Sequence, residues 1–407
     1  MDDRILIMIF DGVGDRPVKE LDGKTPLEYA DTPNLDKIAE SGINGLMDTI
    51  MPGVIPGSDT GHLALLGYDP FEVYTGRGPF EAAGLDIDVS PNDIAFRCNF
   101  ATIENGKIVD RRAGRIKEGT DKLAESINDE LDLYVDFTFK ASVEHRAVLV
   151  LRGKDLGANI TDVDPHETGV SVPESEPLEE SKEDKRTSWL VNEFVKKSIE
   201  ILKDHPINKE RVEKGELPAN VILPRGTGMG PKIESIQDRT GLRSAAIAGI
   251  PLVAGVCKLA GMDILKVEGA TGGLDTNIKN IFSSTREALD EYDFVLVNIK
   301  GPDLLGHDGL AKEKVEFIEK IDSELGVIME MEDLYCAYTG DHSTPVTCKG
   351  HSGDPLPISI CGPEVRKDRV ETYGERPCSY GSLGRIRGKE LLNILRDLAK
   401  KADKFGA

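Results

Sequence analysis

The chain has 407 residues, 39% hydrophobic and 30% charged, with 50 basic against 72 acidic side chains and a net charge of −22. That length fits two domains, or one large domain carrying an insertion. The negative balance argues against nucleic acid and anionic membranes as partners, and an anionic substrate would need locally concentrated arginine or metal ions. There is no apolar run long enough to span a membrane. The start, MDDRILIMIFDG, lacks the basic opening and cleavage site of a signal peptide. Six scattered cysteines without a C-x-x-C pair read as reduced thiols of a cytoplasmic enzyme.

In chain order, RILIMIF (4–10) is a continuous apolar run ending at Asp11-Gly12 and predicts a buried strand of a parallel sheet. Thr32-Pro33 predicts a helix start that Gly42 closes. In VIPGSDTGHLALLGY (54–68) a Pro-Gly turn delivers Ser58 to the first turn of an apolar helix. Free backbone N–H groups and the helix dipole favour an anion there. Taken alone, Ser58 is an ordinary helix cap. From about 85 to 270 the runs are shorter. Residues 93–103 and GKIVDRR predict antiparallel strands joined by an Asn-Gly turn at 105–106, and HRAVLVLRG (145–153) another strand. Residues 171–187 read as a solvated acidic loop, followed by a helix over 187–205 capped by Thr187, with Trp189 and Phe194 in its core. After the glycine-rich joint EGATGGLDTN (268–277) come a helix over about 275–290, the strand FVLVNI (294–299), a loop with Asp303 and His307, and the helix KEKVEFIEKIDSELGVIMEM. The strand LYCAYT (334–339) then runs into Gly340-Asp341-His342, and a terminal helix ends the chain. This pattern predicts an α/β core with a mostly parallel sheet between helices, built from residues 1–84 and 270–407. Residues 85–269 form an inserted α+β domain.

Three buried strands each lead to an aspartate, Asp11, Asp303 and Asp341, and in a parallel sheet these meet at one edge. His307, His342 and His351 lie close to two of them in sequence. So many carboxylates packed together need cations or must protonate. Six nitrogen and oxygen ligands without a thiolate suit two divalent ions, manganese, zinc, cobalt or magnesium. Metal coordination is one of the few ways to activate a serine without a histidine base, which makes Ser58 the candidate nucleophile.

At these residues the chain resembles the alkaline phosphatase superfamily, and within it the archaeal-type cofactor-independent phosphoglycerate mutases. The motifs are IFDGVGDRP (9–17), TPNLDKIAESG (32–42), GSDTGHLALLGYDP (57–70), TGRGPFEAAG (75–84), SVEHRAVLVLRG (142–153), ITDVDPHETG (160–169), GPDLLGHDG (301–309), TGDHSTP (339–345) and HSGDP (351–355). Where the family commonly reads IKATDEAGHDG, this chain reads IKGPDLLGHDG, keeping both ligands. The resemblance implies one metal on Asp11, Ser58, Asp341 and His342, and another on Asp303, His307 and His351. It implies interconversion of 3-phosphoglycerate and 2-phosphoglycerate through a phosphoserine on Ser58, with the inserted domain capping the substrate. His145, Arg152, Asp164, His166 and Arg225 are its candidate substrate-binding residues, and Lys300 a candidate for the phosphoryl group. The rival readings are a phosphatase or another phosphomutase on the same core, or an inactive metal-binding homologue. The number of copies in solution stays open, a homo-oligomer included.

Overall fold

The apolar runs become strands, in chain order β1 (Arg4–Phe10), β2 (Ile43–Asp48), β3 (Ile94–Glu104), β4 (Lys107–Asp110), β5 (Asp136–Ala141), β6 (Arg146–Arg152), β7 (Val221–Met229), β8 (Ser244–Ala248), β9 (Asp263–Ile264), β10 (Phe294–Ile299), β11 (Leu334–Thr339), β12 (Leu356–Cys361) and β13 (Gly384–Arg387). The computed structural model describes residues 3–406. The chain divides into two compact units, Met1–Val73 with Ile233–Ala407, and Tyr74–Lys232.

The first unit holds an eight-stranded sheet in the order β13-β2-β12-β11-β1-β10-β8-β9. It is parallel from β11 to β9, with β12 antiparallel to both of its neighbours. β10 and β11 are buried throughout and β1 from Ile5 onward, as expected for central strands covered on both faces. β1 lies between two strands that come much later in the chain, and its partners bracket it in register, Ile9 opposite both Asn298 and Thr339. The carboxyl ends of the three strands therefore open at one level, the usual place for a ligand crevice in such a sheet.

The inserted segment is shorter than its sequence suggests. The joints fall at 73/74 and 232/233, not at 84/85 and 269/270. Residues 244–248 are a strand, β8, paired in parallel with β10, which returns the chain to the first unit well before the glycine-rich joint. That joint only links β9 to the helix Ile278–Glu291.

The second unit holds a five-stranded antiparallel sheet, with β3 paired to β4, β6 and β7 and β6 paired to β5. The β3–β4 turn is formed by Asn105 and Gly106, both with positive φ, as a two-residue hairpin requires. Ile94, Phe96, Cys98 and Phe100 point from one face of β3 into a core shared with Phe139 and Phe194. The helix expected over 187–205 spans Lys182–Lys203. Its cap is Ser181, whose hydroxyl accepts from the Asp184 amide, so the supposed loop 171–187 ends as helix. Trp189 is half exposed and lies against Tyr134, outside the core that Phe194 joins.

One buried cation ties the loops around the crevice together. Lys314, fully buried on the helix Ala311–Glu324, donates to the Gly12 carbonyl (2.9 Å), the Thr344 carbonyl (3.0 Å) and the Asp15 carboxylate (2.9 Å). The same carboxylate accepts from the Val346 amide. The loop after β1 and the loop after β11 thus share one ion pair. Removing one partner of such a pair leaves a buried charge uncompensated. Lys314→Met is therefore expected to lose about 3–5 kcal/mol of stability, read from the urea midpoint. A loss below about 1 kcal/mol would mean the pair behaves like a surface one.

Candidate active site

Asp11 follows β1 directly and Asp341 follows β11 by one residue. Asp303 lies further along, in the first turn of a helix, Gly301–Asp308, where a loop was expected. One helical turn separates it from His307, so the two side chains share a face. Ser58 opens the helix Ser58–Leu65, with Gly57 rather than Ser58 at the capping position. There its hydroxyl is free of capping duty and lies 3.2 Å from His342 Nε2.

Around that nitrogen the side chains converge. His342 Nε2 is 3.3 Å from Asp341 Oδ2 and 3.6 Å from Asp11 Oδ1. Asp303 Oδ1 is 3.4 Å from His307 Nε2 and 3.5 Å from His351 Nε2. Lys300 Nζ bridges the two halves, 2.9 Å from Asp11 and 2.6 Å from Asp303. All seven sequence-derived residues of this group thus come together around Lys300; Ser58, Asp11, Asp303, Asp341 and His342 are buried.

Electrostatics describe a place built for more positive charge than the chain supplies. Burial, then the charge of Asp11, pushes the Asp341 carboxyl well above the usual range. Burial likewise raises Asp11, against the pull of Lys300. Burial opposes the Lys300 ammonium, but Asp11, Asp303 and Asp341 outweigh it and hold its pKa above the ordinary value. One buried carboxylate oxygen, Asp341 Oδ2, has no hydrogen-bond partner. The three imidazoles are turned alike. His307 Nδ1 donates to the Lys349 carbonyl, His351 Nδ1 to the Pro56 carbonyl, and His342 Nδ1 lies on the Thr344 hydroxyl. Each leaves Nε2 facing the carboxylates. An orphaned carboxylate oxygen beside bare imidazole nitrogens fits divalent cations. Asp11, Asp341 and His342 form one grouping of possible ligands and Asp303, His342 and His351 another.

Two residues here were not singled out from sequence. His62, fully buried, donates from Nδ1 to the Ser58 carbonyl (2.6 Å) and accepts at Nε2 from Asn298, which also donates to Asp11 (2.9 Å). Burial lowers the His62 pKa to about 4, so this imidazole is neutral at pH 7. The signal was a histidine on the apolar helix of the Ser58 motif, and a polar Asn298 inside FVLVNI.

The second unit carries a cluster of arginines. Arg97 on β3 and Arg225 on β7 are register partners, directly opposite on one face. Arg146, opposite Asn99, shares that face. Like charges in such positions repel. Burial, then Arg77, lowers the Arg97 pKa to about 9, and burial, then Arg146, lowers His145 to about 4. The Nε atoms of Arg97 and Arg225 and Nδ1 of His145 are buried without hydrogen-bond partners. Asp164 accepts both arms of Arg111 (2.6 and 2.7 Å), so it orients cations and is not itself open to an anion. His166 Nδ1 lies 3.2 Å from Arg111 and 3.5 Å from Arg225. Of the expected residues, His145, Asp164, His166 and Arg225 meet here. Arg152 does not. It ends β6, at the far end from His145, and its guanidinium is held by Asp93 and the Asp88 carbonyl. Arg97, on the face of β3 opposite its apolar residues, and Arg111 and Arg146 are the members that sequence reading missed.

Among the described residues no helix is long and apolar enough to cross a membrane. The family described as 2,3-bisphosphoglycerate-independent phosphoglycerate mutase matches residues 39–208. Proteins of that name from Methanosphaera stadtmanae and Methanothermobacter thermautotrophicus are 54% and 53% identical, each alignment covering 99% of both chains. A solved Pyrococcus horikoshii structure is 40% identical, with full coverage of both chains and a TM-score of 0.90. A cofactor-independent phosphoglycerate mutase from Thermoplasma acidophilum is 38% identical over 98% of this chain and 100% of its own, with a TM-score of 0.74.

Proposed function

The chain belongs to the 2,3-bisphosphoglycerate-independent phosphoglycerate mutases, and from that premise we infer how it interconverts 3-phosphoglycerate and 2-phosphoglycerate in glycolysis and gluconeogenesis. The observation that carries the reading is the Ser58 hydroxyl. It sits at a helix N-terminus, beside His342 Nε2 and the carboxylates of Asp11 and Asp341. Asp11, Ser58, Asp341 and His342 would hold one divalent ion and Asp303, His307 and His351 the other, with manganese preferred over magnesium, cobalt or zinc. Bound there, such ions would neutralise phosphoryl charge and favour the serine alkoxide.

Ser58 Oγ attacks phosphorus, the bond from phosphorus to the 3-oxygen breaks, and glycerate is left beside a phosphoserine. The 2-hydroxyl of glycerate then attacks the same phosphorus and Ser58 Oγ leaves, regenerating the serine. Lys300, whose ammonium already sits between Asp11 and Asp303, holds a phosphoryl oxygen. The arginine cluster of the second unit is the candidate for binding the substrate carboxylate. Glycerate must stay bound between the half-reactions, which a cluster of mutually repelling arginines, Arg97 and Arg225 half-buried among them, favours because an anion relieves their repulsion. A reduced cytoplasmic setting fits the six free cysteines.

Incubating the pure protein with manganese and 3-phosphoglycerate tests the reading. The expected product is 2-phosphoglycerate. Release of free phosphate would instead identify a phosphatase, and no reaction an inactive homologue. Arg97→Met should raise KM about 10–100-fold, the worth of one charge-assisted hydrogen bond. Because the change also removes a repulsive pair, thermal unfolding should move no lower. An unchanged KM would remove Arg97 from the substrate site.

A further inference from the structure

His342 belongs to both groupings of ligand atoms, and its neighbours decide which of them it serves. Its Nδ1 lies 3.0 Å from the Thr344 hydroxyl, and that hydroxyl lies 2.7 Å from Asp303 Oδ1. The hydroxyl has one proton. Asp303 is a carboxylate paired with the Lys300 ammonium, whose Nζ lies 2.6 Å from its other oxygen. A carboxylate can only accept, so the Thr344 proton goes to Asp303 and the hydroxyl oxygen must accept from His342. Nδ1 of His342 therefore carries the proton, and Nε2 keeps its lone pair.

Thr344 has no freedom to do otherwise. Its amide donates to the Gly14 carbonyl and its own carbonyl accepts from Lys314. A Cβ on Gly306 would come within 2.8 Å of the threonine methyl, so that methyl is packed against the bare backbone of the Asp303 helix. On the other side, Gly12 has φ +66°, and a Cβ there would lie 2.7 Å from the Thr344 hydroxyl and 2.6 Å from Asp303 Cβ. With the methyl wedged on one side and the hydroxyl enclosed on the other, the side chain has one orientation.

We propose that Thr344 is a positioning residue that fixes the tautomer of His342. It thereby assigns this histidine to the Asp11–Asp341–Ser58 position and withholds it from the Asp303–His351 position. The distances divide in the same way. Nε2 is the atom near Ser58, Asp341 and Asp11, whereas Nδ1 is the atom that approaches Asp303, at 3.9 Å. With Nδ1 occupied, Asp303 and His351 must find their further ligand in His307. The assignment to a metal rests on the two-ion reading above, but the tautomer does not.

The experiment separates the two. Metal-free protein labelled with nitrogen-15 in its histidine rings is observed at neutral pH, and the His342 signals are identified by their loss in His342→Gln. The wild type and Thr344→Ser should show a protonated Nδ1 and a bare Nε2. Thr344→Val, which keeps the shape and loses the hydroxyl, should show a mixture of tautomers. In a manganese titration Thr344→Val should bind its weaker ion about 10–100-fold less tightly than the wild type does, the usual cost of losing such a partner, while Thr344→Ser binds two ions as the wild type does. A protonated Nε2 in the wild type, or a Thr344→Val protein with the wild-type spectrum and wild-type affinities, would overturn the proposal. Should Thr344→Val not fold, the spectra of the wild type and Thr344→Ser decide it. A wild type that takes up no manganese would overturn the apportioning together with the two-ion reading, and the spectrum would still judge the tautomer.

Discussion

Ser58→Ala is expected to reduce mutase activity by at least about 10⁴-fold, the scale on which enzymes lose rate when a nucleophile is removed, while the fold and metal content stay close to the parent's. The selectivity follows from what Ser58 does with each of its atoms. Its carbonyl holds His62 Nδ1 at 2.6 Å, and its backbone opens the helix, and alanine keeps both, being the best helix former. Among the described residues the hydroxyl bonds only to His342 Nε2, and it plays no capping role because Gly57 and Thr60 close the helix end between them. In the proposed ligand set it is also only one of four donors to its ion. Intact-mass measurement after mixing with 3-phosphoglycerate should show a phosphorylated parent and an unmodified variant. Turnover near the parent level would remove the phosphoserine from the mechanism.

How much of this site could be read from sequence depends on how local each signal was. Asp11 and Asp341 end apolar runs that could only be buried parallel strands, so their meeting followed from the sheet. Asp303 and His307 were legible as a pair, though the helix carrying them was not, because Gly-Pro at 301–302 reads as a turn and equally suits a helix start. β8 escaped because SAAIA (244–248) is small and short, whereas the glycine-rich joint after it had strong turn chemistry and no change of domain. Trp189 obeyed helical spacing at the edge of its apolar stripe, where packing against Tyr134 replaces the core. Lys314 and Arg97 carry different lessons. Lys314 lies on the face defined by Ala311, Val315 and Ile318, where a charge set into an apolar period is the mark of a buried ionic role that period reading discards as noise. Arg97 keeps the alternation of β3, on the face opposite Ile94, Phe96, Cys98 and Phe100, so period reading takes it for an ordinary polar position. The network of His62 and Asn298 joins segments up to 287 positions apart around Asp11, and no spacing rule reaches that far.

Asp303→Ala should leave one manganese ion per chain where the parent binds two, with mutase activity falling as far as it does for Ser58→Ala. Asp303 is the carboxylate of its proposed ion, and the imidazoles of His307 and His351 both face it, at 3.4 and 3.5 Å. Two neutral nitrogens without the anion are a poor match for a hard divalent ion. The change also frees Lys300, which is 2.6 Å from Asp303 and 2.9 Å from Asp11, to settle on Asp11 alone. It strands the Thr344 hydroxyl as well, whose proton has gone to Asp303. The Asp11–Asp341–Ser58 position keeps every one of its own donors, so its ion should remain, held more loosely as His342 loses its fixed tautomer. Elemental analysis after desalting reads the stoichiometry directly, and His351→Ala, which removes a neutral ligand instead of the anion, should weaken the same ion less. Two ions retained at parent affinity in Asp303→Ala would place the second ion elsewhere and leave the carboxylate to Lys300.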